Sequence, residues 1–236
     1  MNTHYQLIEK EFLAYAKEKN SNAQRFFKSS PGAYAEHDIF INITVPNIRA
    51  LVKKYNTLTL KDITYFLHSK INEHRLFALF CLVDTFKKGD LLTKKTVYNL
   101  YLENIYYINN WNLVDSSAYQ IIGAYLADKE KTILYTLSQS DTMWHRRISI
   151  ISTLYFIKEN QYDTTLKIAH ILMNDTEDLI HKAVGWMLRE VSKKNFKVAD
   201  DFIQKYNNIM PRTMLRYAIE KYPENIRKSF LKINTR

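Results

Sequence analysis

The chain has 236 residues, 46% of them hydrophobic, and is long enough to bury a sizeable core within one domain. Four glycines, four prolines and one cysteine exclude a turn-rich β architecture and an internal disulfide framework. The formal net charge is +10, and from His181 to Arg236 there are 13 Lys and Arg against 5 Asp and Glu, a net of +8 in the last quarter. Such a field suits a polyanionic partner, nucleic acid before membrane. By charge alone, a basic protein of Lys-rich composition is an equal reading.

No stretch approaches the roughly 18 consecutive apolar residues of a membrane span. The first residues, Met1-Asn2-Thr3-His4-Tyr5, lack a basic segment followed by an apolar one, so no secretory signal is expected. The single Cys81 sits in an apolar run and reads as a core residue, which fits a reducing cytoplasm.

In chain order, Leu7, Phe12, Leu13 and Tyr15 predict a first helix over 5–19, and a short one follows at 23–28. The stretch 29–46 is the longest break, with Ser29-Ser30-Pro31-Gly32 and then a β-branched run. It reads as an ordered loop that ends with Pro46 at the first helical position. Helices are predicted at 46–55, 60–69, 73–87, 92–107, 110–127, 129–138, 143–159, 161–173, 177–194, 197–206, 211–220 and 224–231. The fold class is therefore all-α, and 1–236 is expected to form a single α-solenoid domain without an internal linker.

Three predicted helices open with a histidine and a basic residue: His74-Arg75, His145-Arg146 and His181-Lys182. A fourth opens at Asn110-Trp111. The starts at 74, 110, 145 and 181 step by 36, 35 and 36 residues, one helix pair per repeat in a HEAT-like solenoid. Equivalent helices would line one concave wall, on which Trp111, Asp115, Arg146, Arg147, His181, Lys182 and Trp186 converge. Asp115 and Trp186 share an offset of five from their repeat starts. The histidines show no metal-ligand spacing and read as capping or phosphate-facing groups, and Trp144 reads as packing.

The same segments carry a family resemblance. Asn110-Trp111-Asn112-Leu113-Val114-Asp115 resembles the Trp-x-x-x-Asp signature of AlkD-type alkylpurine DNA glycosylases. Trp144-His145-Arg146-Arg147 resembles that family's Trp-x-x-Arg helix, and the run from Lys182 to Glu190, containing Gly185-Trp186 and Leu188-Arg189, is similar to its Lys-Ala-Ile-Gly-Trp-x-Leu-Arg-Glu helix. Arg25-Phe26-Phe27-Lys28 and the segment from Thr44 to Arg49 are looser matches. The resemblance implies a HEAT-like fold that cradles duplex DNA on a concave face and removes N3- and N7-alkylated purines. It implies Asp115 as the catalytic carboxylate, with Trp111 and Trp186 as aromatic partners. Arg147, Arg146, Lys182, Arg189 and Phe26 are the expected DNA contacts. Phe26 stands where the family often has a tyrosine, which removes a hydroxyl contact. The resemblance also implies that the base stays stacked while sugar and backbone are contacted.

The chemistry suits these residue types. An alkylated purine is a cation and leaves as a neutral base, so positive charge grows on the deoxyribose. A fixed carboxylate beside the sugar stabilises that charge, by roughly 4 kcal/mol at about 4 Å and an effective dielectric near 20. Tryptophan faces attract the cation, and an arginine fork fits phosphate oxygens. No cofactor, metal or membrane partner is expected, and a monomer acting on double-stranded DNA is. No lysine is positioned for a Schiff base, so the expected enzyme is monofunctional. The competing readings are a non-catalytic HEAT-like DNA-structure-binding module and a protein-interaction solenoid.

Overall fold

The computed structural model describes residues 3–16 and 27–233, and every regular element among them is helical. The chain divides into two compact units, Met1–Ser117 and Ala118–Arg236.

In the first unit, α1 (Thr3–Tyr15), α2 (Val45–Lys54) and α3 (Leu60–Leu67) lead to α4 (Asn72–Lys88), followed by α5 (Leu91–Glu103) and α6 (Trp111–Ala118). The helix α3 starts with a capping box, in which Thr59 and Asp62 satisfy each other's backbone N–H groups. Asp90 caps α5 by accepting from Thr93 N at 2.8 Å. The central helix is α4, which packs on α2, α3 and α5. It is buried all round from Asn72 to Val83, as expected of a helix that is apolar on every face. Phe12 of α1 meets Phe66, His74 and Phe77 at ring distances of 6.2, 4.4 and 5.4 Å, which closes one end of this core.

The second unit holds α7 (Thr132–Ser138), α8 (Met143–Ser152), α9 (Leu154–Lys158), α10 (Asp163–Ile171), α11 (Asp178–Lys194), α12 (Phe196–Tyr206), α13 (Arg212–Ala218) and α14 (Glu224–Ile233). Here α11 is central, packed against α8, α12 and above all α13. Gly185 permits that last contact, since a Cβ there would come within 2.5 Å of the Met214 carbonyl and of Tyr217.

Two expected long helices are interrupted. The helix predicted at 110–127 passes into a π-helical turn, Tyr119–Gly123, and the one at 143–159 breaks at Thr153. The break has a local cause. The hydroxyls of Ser152 and Thr153 bond back to the carbonyls of Ile148 and Ile150, each at 2.7 Å, a pattern that bends helices. The π turn approaches that break closely, because a Cβ on Gly123 would lie 2.2 Å from the Ser152 carbonyl.

The four repeat helices begin at 72, 111, 143 and 178, in steps of 39, 32 and 35 rather than 36, 35 and 36. The histidines do not open their helices: His74 and His145 are third in theirs, and His181 is fourth. Asp115 is fifth in α6 and Trp186 ninth in α11, so the expected shared offset does not hold. Arg147 and Lys182 are the residues at the fifth position of α8 and α11.

The histidine-arginine pairs serve as clamps. Ser69 Oγ accepts from Ile71 N at 3.1 Å and bonds His74 Nδ1 at 3.1 Å, while Arg75 donates to the carbonyls of Ser69 and Lys70 at 2.9 and 3.2 Å. In the second unit, Ser140 Oγ accepts from Thr142 N at 3.2 Å and bonds His145 Nδ1 at 3.0 Å. Arg146 donates to the carbonyls of Ser140 and Asp141, both at 2.9 Å. These bonds tie the turn ahead of each helix to the helix's first turn. Each arginine ends on an acid, Arg75 on Asp38 and Arg146 on Asp175.

Candidate functional site

Asp38 organises the first unit's site. Its side chain and that of Arg75 are 5% and 4% exposed, so the ion pair needs further polar partners. Asp38 Oδ2 accepts from Asn72 Nδ2 at 2.9 Å and from Asn110 Nδ2 at 2.7 Å. Asn72 Oδ1 in turn accepts from Asn112 Nδ2 at 2.7 Å, and Arg75 also donates to Asn109 Oδ1 at 3.2 Å. Three asparagines before and within the first turn of α6 are thereby tied to the start of α4. That ordering fixes where Trp111 and Asp115 point.

Both line one cavity of about 480 Å³. Phe40, Phe27 and Trp111 form one wall as a run of near-parallel rings, 4.5 and 5.2 Å between neighbouring centroids. Trp111 is fixed in this plane by its indole N–H, which donates to Tyr34 Oη at 3.1 Å. Ile43, Val45, Ile48, Leu76 and Phe80 supply apolar surface, and Arg49 lines the cavity with its guanidinium 4.2 Å above the Phe80 ring. Asn112, Asp115 and Ser116 of α6 bring the polar groups, together with Asn72 and Glu73 of α4. Mostly apolar walls with a few convergent polar groups are the usual make-up of a ligand site.

Glu73 is a second carboxyl in the cavity wall and is 6% exposed. Burial pushes its pKa up, against the pull of backbone N–H donors on the 41–43 segment, including Ile41 and Asn42. Asn42 sits at φ +60°, a left-handed conformation that asparagine tolerates. Deep in the unit, Tyr101 bonds Ser117 at 3.1 Å, and burial, with the charge of Asp115 adding to it, drives its phenol pKa up. Sequence reasoning missed Glu73, Phe40 and the Asp38 network. A signal was available in the polar start of α4, Asn72-Glu73 ahead of an apolar helix, and in a serine five residues before both His74 and His145.

The remaining candidates are in the second unit. Arg147 is 5% exposed and donates to the Leu179 carbonyl, which pins the first turn of α11. Arg146 pairs with Asp175 at 2.6 Å besides its two backbone bonds, so the acid facing one of the two adjacent arginines is Asp175. Asp175 also accepts from Glu177 N at 2.9 Å, and its carbonyl meets His181. Lys182 pairs with Asp178 at 2.7 Å. Trp186 is partly buried and donates to Glu190 Oε1 at 3.1 Å, and Arg189 pairs with Glu220. Trp144 is buried, as read from sequence. Phe26 lies outside the described residues. The structure thus brings Trp111 and Asp115 together around one cavity, and ties Arg146, Arg147 and Lys182 to the start of α11.

Among the described residues no helix is long and apolar enough to cross a membrane. No curated protein matches the sequence. A solved structure described as a "Predicted DNA alkylation repair enzyme" from Enterococcus faecalis is similar, with a TM-score of 0.69 over 90% of this chain and 99% of that one, at 18% identity. At that identity the likeness speaks for the fold, a helical-repeat architecture. The family model described as "DNA alkylation repair enzyme" matches residues 8–222. The chain belongs to the DNA alkylation repair enzyme family.

Proposed function

We propose that this chain is a monofunctional DNA glycosylase that hydrolyses the N-glycosidic bond of N3- and N7-alkylated purines in duplex DNA. One observation carries the reading: in a member of a DNA alkylation repair family, Asp115 and Trp111 line one aromatic-walled cavity. A carboxylate and a tryptophan face are what a departing cationic base and a positive sugar call for.

In the reaction, the electrons of the C1′–N bond move onto the base, which leaves neutral. Positive charge on the deoxyribose is met by Asp115. Water adds at C1′ and gives up a proton in the direction of the carboxylate. Trp111 attends the sugar and base, Trp186, Lys182 and Arg189 serve the flanking backbone, and Arg147, buried on the Leu179 carbonyl, positions the start of α11 rather than meeting a phosphate. Arg146, with its donors on Asp175 and two carbonyls, holds α8 to α11 and is assigned no DNA contact. Residues 1–236 act as one functional domain in this reading, since the family match runs through both units.

The test is base release from methylated duplex DNA by wild type and Asp115→Asn. Loss of roughly 4 kcal/mol of electrostatic stabilisation lowers the rate by about three powers of ten, with duplex affinity retained. If both proteins bind DNA and neither frees a methylated purine, the chain is a DNA-structure-binding module instead.

A further inference from the structure

We propose that Glu73 is a positioning residue for Trp111 in base release: it pins the backbone at 41–42 so that Phe40 backs Phe27 and Phe27 backs the tryptophan. This rests on the glycosylase reading of the same cavity, and Glu73 acts in it through the backbone rather than on substrate.

Phe40 sits between two backbone anchors, both at the entry to α4. On one side, Ile39 N donates to the Lys70 carbonyl at 3.2 Å and Asn72 N donates to the Ile39 carbonyl at 2.8 Å. On the other, Glu73 Oε1 accepts from Ile41 N at 3.1 Å and from Asn42 N at 2.9 Å, and Oε2 accepts from Ile41 N at 3.2 Å. With the chain held at 39 and again at 41–42, the Phe40 ring has a fixed origin. It stacks face on face with Phe27, centroids 4.5 Å and planes 17° apart, and Phe27 stacks in turn on Trp111 at 5.2 Å and 18°. Tyr34 Oη holds the indole separately, by its N–H. One face and one edge of Trp111 are thereby fixed.

The chemistry of the second anchor argues that this placement matters. Glu73 is 6% exposed, and a carboxyl taken out of water costs free energy unless donors meet it. Beside it Asn42 lies at φ +60°, and the turn that results aims successive N–H groups at one carboxylate. A plain tie between a loop and a helix needs neither a buried acid nor a left-handed residue. Both fall on the short segment whose side chain supports the ring stack in the wall of the Asp115 cavity, the kind of place where such costs serve a required geometry. Asp115 is set by a different route, through Asp38 and its asparagines, so the carboxylate and the tryptophan have separable supports.

The test uses the full chain with Glu73→Gln, Phe40→Leu and the double variant. Glutamine keeps the size of Glu73 but has one acceptor oxygen, and its NH2 group opposes a backbone N–H. Single-turnover base release from methylated duplex DNA is measured well below each melting temperature, alongside duplex affinity. Each single variant is expected to slow release about tenfold at unchanged affinity, less than the roughly hundredfold loss from a misplacement of about 1 Å. The double variant is expected to be no slower than the slower single, because residues that act through one route are not additive. A second readout is 5-fluorotryptophan labelling. The chain has three tryptophans, and the fluorine resonance missing from Trp111→Phe identifies Trp111. Both single variants are expected to move that resonance and to leave those of Trp144 and Trp186 in place.

Base release by Glu73→Gln at the wild-type rate, losses that multiply in the double variant, or an unmoved Trp111 resonance overturns the proposal. Should Glu73→Gln melt too early, Glu73→Asp takes its place with the same outcomes, since it keeps the charge and withdraws it by one methylene. If wild type frees no methylated purine, the glycosylase reading falls and the fluorine spectrum decides alone. A shifted Trp111 resonance then keeps Glu73 as the support of that ring, and an unmoved one removes it.

Discussion

The clamp that starts α4 and the clamp that starts α8 use the same three side-chain types, yet they work in different surroundings. In both, a serine and a histidine close the helix start and an arginine reaches back to two carbonyls and on to an acid. Around Arg75 the pair is almost dry, and its acid, Asp38, carries the asparagines that set α6 and so Asp115. Around Arg146 the side chain is 16% exposed, and its acid, Asp175, accepts from Glu177 N in the turn that enters α11, the helix of Lys182, Trp186 and Arg189. In each unit the repeated device positions the next helix, and the candidate site residues ride on that helix. The first clamp is coupled to the cavity through buried amides; the second ends at the turn that enters α11.

The sharpest way to separate them is to remove each acid. Asp38→Ala leaves Arg75 buried and unpaired, which costs about 3–5 kcal/mol. It also frees Asn110 and Asn72, so base release is expected to fall beyond what lost stability explains. Asp175→Ala leaves a partly hydrated Arg146 and removes the bond to Glu177 N, a cost of roughly 2 kcal/mol. Urea midpoints at unchanged m-value measure both. Equal losses from the two variants would show that the clamps are equivalent and that the dryness of the first is of no consequence.

Acid dependence separates the clamps next. His74 is enclosed by the rings of Phe12 and Phe66, and burial pushes its pKa down to about 4. The unfolded chain takes up this proton near its ordinary value of about 6.5, before the folded chain can. Stability from a neutral His74 is therefore complete above that value and is lost as pH falls towards 4, a total of roughly 3 kcal/mol. His145 is held down in the same direction by burial. His74→Gln is expected to flatten the acid limb of the stability–pH curve clearly, and His145→Gln less so. Unfolding free energies at intervals through this window check the slope, and a His74→Gln curve parallel to wild type would sink the assignment.

Why the helices were legible while the site was half legible follows from the range of the interactions. The helices are written in apolar spacing and in caps such as Thr59–Asp62 and Asp90–Thr93, all local in sequence. Trp111 and Asp115 lie one helical turn apart, so a short motif suffices to bring them together. The Asp38 network links residues as far apart as 38 and 110, and no periodicity reports a contact of that separation. The role of Glu73 depends on partners at 41 and 42, which come from an irregular loop. The 36-residue rhythm of the histidines marked real repeats, but it tracked positions inside the first turn rather than helix starts, which is why the offset shared by Asp115 and Trp186 was lost. Net charge leaves open which cations are available to DNA. Arg189 and Lys193 sit on Glu220 and Glu190, acids already counted in the +8, and Lys182 pairs with Asp178 just ahead of that stretch, so the sum does not say which of them a phosphate can recruit.

The smallest expected effect tests that last point within the second unit. Lys182 and Arg146 were both candidates for DNA, and both now have acid partners. Lys182 is on a half-exposed (i, i+4) pair, worth at most about 0.5 kcal/mol. A phosphate can displace Asp178 from it at little cost. Arg146 is held by a carboxylate and two carbonyls, which a phosphate would have to replace together. Lys182→Ala is therefore expected to leave stability nearly unchanged and to lower the slope of log affinity against log salt by about 0.9, the release of one phosphate's counterions. Arg146→Gln is expected to leave that slope unchanged while lowering the unfolding midpoint. Duplex binding titrations at several salt concentrations read both, and a slope that moves with Arg146 but not with Lys182 would reverse the assignment of the two residues.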